Sequence, residues 1–176
     1  MLLTNFSILS SLLAMTVAAQ APDLSGKGHV LVLNGTGGMK DQTVADRIGC
    51  LDAEGFLTLD DCAVFSDVQT RPKTSAGECN FEDEDQPVNT DSHYGKSDHA
   101  FHCYPGAEAQ PWPFYSVNGL SQPFMGNGNI NFAYDVNRAP VAGERLPVWE
   151  YRWGSQQMGI TPGHLQALFY WDKLEE

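Results

Sequence analysis

Val148-Trp149-Glu150-Tyr151-Arg152-Trp153 alternates strictly in its side chains. Val148, Glu150 and Arg152 share one parity, and Trp149, Tyr151 and Trp153 share the other. A period of two belongs to an extended chain with one apolar face, so the stretch reads as a strand with the aromatic stripe turned to the core. Leu165, Ala167, Phe169 and Trp171 repeat every second residue too. There Leu165, Leu168 and Phe169 also fit a period of 3.6, so a short helix competes with the strand.

Upstream, His29-Val30-Leu31-Val32-Leu33 is a β-rich run closed by Asn34-Gly35. Phe56-Leu57-Thr58-Leu59 and Ala63-Val64-Phe65 read as strands on either side of an Asp60-Asp61 turn. Shorter extended pieces follow at Ala100–Tyr104, Phe114–Val117 and Ile130–Val136. One short helix is expected over Asp41–Ile48, with Val44 and Ile48 four apart and Gly49 as its stop. Residues 66–98 are polar and irregular. The expected fold is mainly β, a single-domain sandwich or barrel with that helix, a long acidic loop region and two disulfides.

The first 19 residues carry no Lys, Arg, Asp or Glu. An apolar stretch around Ile8–Val17 ends in Val17-Ala18-Ala19, the small residues that a signal peptidase reads. The run is too short to span a membrane and is followed by Gln20-Ala21-Pro22-Asp23, a linker-like break. Residues 1–19 therefore read as a signal peptide, and residues 20–176 as one secreted domain. Cys50, Cys62, Cys79 and Cys103 all fall in the mature part. An even number in a secreted chain implies two disulfides, with three possible pairings. The sequential pairing closes two short loops, each contributing about 3 kcal/mol in the chain-entropy model. A zinc site built on thiolates would need a close Cys pair, which is missing.

The formal charge of −12 excludes nucleic acid and anionic membrane as partners, since both need a basic surface. Basic proteins, cations and neutral sugars remain. Much of the charge lies in residues 78–103, where Glu78, Glu82, Asp83, Glu84, Asp85, Asp91 and Asp98 face Lys96 alone. His93, His99 and His102 lie in the same stretch, the residue types that a divalent metal takes with a carboxylate. Asp98 and His102 share a parity if the chain is extended, and His99 faces away, so convergence needs a turn. The bland alternative is a solvated acidic loop with one packed histidine. Calcium is a further option at Glu82–Asp85 or at Asn127, Asn129 and Asn131, without the EF-hand order.

Asn34-Gly35-Thr36-Gly37-Gly38 lacks the third glycine of a dinucleotide fingerprint. Its first three residues form an N-glycosylation acceptor at Asn34. Trp112 sits between Pro111 and Pro113, where an aromatic ring is a candidate for stacking on a sugar or a protein. There is no Gly-x-Ser-x-Gly elbow, and bridged cysteines leave no free thiol. Glu150 with Arg152, and His164 after Pro162-Gly163, are either buried polar groups or an active centre.

Two stretches carry a resemblance: Asn89-Thr90-Asp91-Ser92-His93-Tyr94-Gly95-Lys96-Ser97-Asp98-His99-Ala100-Phe101-His102-Cys103 and Arg152-Trp153-Gly154-Ser155-Gln156-Gln157-Met158-Gly159-Ile160-Thr161-Pro162-Gly163-His164. With the leader and the spaced cysteines, they resemble small secreted cysteine-containing proteins of filamentous fungi. The resemblance implies an extracellular, effector-like protein and no particular chemistry. The leading expectation is a monomeric extracellular protein that binds a host or cell-wall protein or glycan through Glu82, Asp83, Glu84, Asp85 and Trp112. It needs no cofactor. The competing expectation is an extracellular hydrolase, metal-assisted through His93, His99 or His102.

Overall fold

The structure, a computed structural model, describes residues 21–107, 113–116, 119–127 and 132–175. The leader 1–19, Trp112, Asn129 and Asn131 lie outside them. The chain is mainly β. Eleven strands run β1 Lys27–Asn34, β2 Arg47–Leu51, β3 Leu57–Thr58, β4 Phe65–Ser66, β5 Glu78–Asn80, β6 His102–Tyr104, β7 Phe114–Ser116, β8 Phe124–Asn127, β9 Tyr134–Val136, β10 Val148–Glu150 and β11 Leu165–Lys173. β5 and β6 form a ribbon of their own, and the other nine strands form one sheet: six follow the path β10-β9-β11-β1-β2-β3, β4 pairs β1, and β7 joins through β8 to β11. Both ends of that path stay unjoined among the described residues, so the sheet is open and the barrel expectation is set aside.

β1 and β11 pair antiparallel along seven residues, Gly28↔Lys173 through Asn34↔Ala167. This settles the competition at 165–171 for the strand: pairing on both sides of β11 satisfies a backbone that a short helix would leave with open ends. The core-facing parity of β1 and β11 carries Val30, Val32, Ala167, Phe169 and Trp171, packed with Tyr134, Val136 and Val148. Phe169 stacks on Tyr134 at 3.6 Å and meets Phe101 and Phe114 edge-on. The β5–β6 ribbon contributes Cys79 and Cys103 to the same core. Leu31, Leu33 and Leu168, of the other parity, build a smaller cluster on the second face with Phe124, Cys50 and Ala133. Short strands packed on both faces read as continuous apolar runs, which is the pattern of His29–Leu33.

Three expectations change. Val44–Asp46 is only a 3₁₀ turn, capped by Thr43 and Asp46, and β2 begins at Arg47. Arg47, Gly49 and Cys50 pair with β1, and sheet pairing wins over a weak helical pattern. Residues 57–58 and 65–66 do not form a hairpin with each other: β3 pairs β2 and β4 pairs β1. Asp61 between them takes a left-handed φ of 56°. Finally, the 148–153 alternation stops acting as a strand at Glu150. Val148, Trp149 and Glu150 are all buried, Tyr151 is half-buried, and Trp153 is exposed. The aromatic stripe is therefore not a core stripe, because its last member stands outside the sheet.

The disulfides are Cys50–Cys62 and Cys79–Cys103, the sequential pairing. Cys79 and Cys103 are directly opposed on β5 and β6. Among the described residues no helix is long and apolar enough to cross a membrane.

Candidate functional site

The three histidines of the acidic region go to separate partners. His102, on β6, places Nδ1 2.6 Å from Asp83 Oδ2 and stacks its ring on Tyr104. His99 places Nδ1 3.0 Å from the Gln86 carbonyl. His93 is exposed, edge-on to Tyr94, and its backbone N–H donates to Gln157 Oε1 at 2.6 Å. Among the described residues, no group of three or more His, Cys, Asp or Glu is arranged to hold a metal ion.

The acidic run divides in the same way. Glu82, Glu84 and Asp85 are exposed, whereas Asp83 is drawn inward to His102. Burial pushes the Asp83 carboxyl up, but the Asp85 N–H and the His102 ring outweigh it and hold it below the usual range. Asp83 thus fastens the loop, and its three neighbours present charge.

A second polar cluster draws its residues from β9, β10 and the loops that cover them. Asp135, 1% exposed in the middle of β9, accepts from three donors: His164 Nδ1 at 2.6 Å, Asn89 Nδ2 at 2.9 Å and Thr161 Oγ1 at 3.3 Å. A carboxylate only accepts, so Nδ1 carries the hydrogen towards Asp135, and the other ring nitrogen of His164 is Nε2. That nitrogen lies 3.4 Å from Asp91 Oδ2, on a side chain 69% exposed. The His164 ring lies parallel to Trp149. On the opposite parity, Glu150 accepts from buried Asn127 and from Arg152, and Arg152 also donates to Asp98 at 2.7 Å.

Gln157 links this cluster to the surface. Its Oε1 accepts from His93 N and Ser92 Oγ, and its Nε2 donates to the Arg152 carbonyl and to Thr161 Oγ1. The turn Gly154–Gln157, which follows Trp153, hangs on these bonds. The sequence signal for the cluster is an acid flanked by β-forming residues, as in Tyr134-Asp135-Val136. Such an acid, once buried, must have donors. No pattern in the sequence says which donors.

Next to this cluster the sheet carries a groove of about 220 Å³, lined by Met39, Phe132, Tyr151, Trp153, Gln166 and Leu168 among others. β11 places Leu168 and Gln166 on one face, Gln166 opposite Asp135, and His164 one step further on the same parity. Burial and the neighbouring Asp135 charge push the Tyr151 phenol up, so the groove and the buried carboxylate share an environment. Trp153 is 59% exposed on the wall. A larger hollow of about 500 Å³ lies near Lys27, Thr70 and Lys73. Lys73 is paired there with Asp67 at 2.6 Å.

No family model, no curated protein and no solved structure matches the chain.

Proposed function

We propose that this chain is a secreted binding protein that holds a neutral glycan of a host or cell-wall surface in the Trp153 groove. The observation that carries this reading is the wall itself: a Trp ring mostly open to water, with Tyr151 and Phe132 beside it and Gln166 as a polar handle. Sugar rings offer a C–H face for stacking and hydroxyls for hydrogen bonding, which is what aromatic walls with one amide supply. The charge of −12 disfavours an acidic ligand. Two disulfides suit an oxidising exterior, and export would present the Asn34 triplet to the glycosylation machinery. Glu82, Glu84 and Asp85 remain exposed as a separate contact for a basic protein.

The test is a titration of the mature protein with neutral oligosaccharides of glucose, mannose and N-acetylglucosamine, followed by tryptophan emission and calorimetry. Saturable binding to one of them, lost in Trp153→Ala with an unchanged melting temperature, is the expected result. No binding to any of the three overturns the reading.

The hydrolase reading moves from His93, His99 and His102 to His164, because there a buried carboxylate orients a ring whose Nε2 faces the exposed Asp91 carboxylate. That is the arrangement of a general base. New reducing ends or released acyl groups from a bound oligosaccharide, abolished in His164→Gln while binding persists, would convert the binding protein into an enzyme.

A further inference from the structure

Asn34 is the last residue of β1, and the turn after it holds the one Asn-x-Ser/Thr triplet from Gln20 onward; the other, Asn5-Phe6-Ser7, lies in the leader stretch. Asn34 Oδ1 accepts from Thr36 N at 3.1 Å and from Thr36 Oγ1 at 2.7 Å. The side-chain Nδ2 makes no hydrogen bond among the described residues. Packing accounts for the middle residue: a Cβ on Gly35 would stand 2.8 Å from Leu168 Cγ. Packing does not account for the third. Thr36 is exposed, and its recorded bonds all go to Asn34.

We infer that Asn34 carries an N-linked glycan. The acceptor nitrogen is unengaged, the hydroxyl that the triplet requires is in contact with the acceptor amide, and the turn is at the surface. The donor is a lipid-diphosphate oligosaccharide of the secretory pathway. An N–C1 bond forms from Asn34 Nδ2 and the C1–O bond to phosphate breaks. One amide proton passes to a base, and the lipid diphosphate leaves with the bonding pair. Asn34 pairs with Ala167 in the β1–β11 register, whereas Gln166 and Leu168 of the opposite parity line the groove. Asn34 is half-buried at the end of β1, so the glycan leaves at the turn, whose Gly38 and Met39 border the groove.

This inference rests on export, so the chain is produced in a eukaryotic secretory host behind its own leader and, in parallel, behind a foreign one. Intact mass spectrometry of the secreted product is expected to show an excess of N-acetylhexosamine and hexose units. An N-glycan amidase should remove it and leave aspartate at 34. Asn34→Asp keeps the Oδ1 acceptor of the turn and should lose the sugar without losing the fold. Thr36→Val should lose it as well, and Thr36→Ser should retain it. A bare polypeptide mass behind both leaders, with both disulfides formed, overturns the inference. Glycosylated product from the foreign leader alone supports Asn34 while overturning export by residues 1–19.

Discussion

The sheet and the loops that cover β9 and β10 are ordered by different forces. In the sheet, Val32, Leu168 and Phe169 are fully buried and touch apolar neighbours on every side. In the covering loops, residues 87–99 and 152–164, order comes from polar side chains converging on buried Asp135 and Glu150. Apolar contact is non-directional and survives small shifts. A hydrogen bond to a buried carboxylate needs its partner at one distance and angle. The groove lies where the two regimes meet, which gives it a rigid floor and a wall held by a few named bonds.

Phe169→Ala strikes the first regime at its centre and should have the largest effect, about 4 kcal/mol from lost burial and the cavity left behind, measured by chemical denaturation. Asp135→Ala strikes the second. His164, Asn89 and Thr161 would lose their acceptor, at about 3 kcal/mol in all. Hydrogen exchange should then rise in the 87–99 and 152–164 loops while β1 and β11 stay protected, and uniform exposure of both would erase the distinction between the regions. Replacing Cys79 and Cys103 together by alanine should cost about 2–3 kcal/mol, since the bridge closes a loop 24 residues apart in sequence.

Acid should separate the regions further. The Asp83 carboxyl is held below its ordinary range when folded, so its stabilisation is complete above the unfolded value of about 4 and is lost as pH falls below it. Glu144, lowered to about 2 mainly by its hydrogen bond from Arg138, follows the same sign, its contribution falling away between pH 4.5 and about 2. Limited proteolysis near Glu82–Gln86 should therefore appear on acidification before the sheet unfolds. Trp153→Ala should have the smallest effect on stability, within about 0.5 kcal/mol, because the side chain is largely solvated. Its effect should fall on ligand binding alone.

Much of the sheet is legible residue by residue. Val30-Leu31-Val32-Leu33 reads as a strand because the apolar pattern is itself what the core selects, whereas Leu165–Trp171 fits a strand or a short helix until its pairing with β1 decides. The 148–153 run shows the limit. Its alternation is perfect, yet the strand pairing covers only Val148–Glu150, opposite Val136, Asp135 and Tyr134, and ends with a bond from Tyr151 N–H to the Ala133 carbonyl. The candidate site is less legible still. His93, His99 and His102 are close in sequence and separate in space, whereas Asp135 and His164 are 29 residues apart and Asn89 and Asp135 are 46 apart.

By itself the sequence determined a β-rich, acidic domain with an even set of four cysteines, because alternation, charge and residue counts are local or additive quantities. Only the tertiary structure decided that the cysteines pair in order, that Trp153 faces water and that His164 rests on Asp135. Those facts depend on which distant segments meet, and contact between distant segments is set by the packing of the whole chain rather than by any stretch of it.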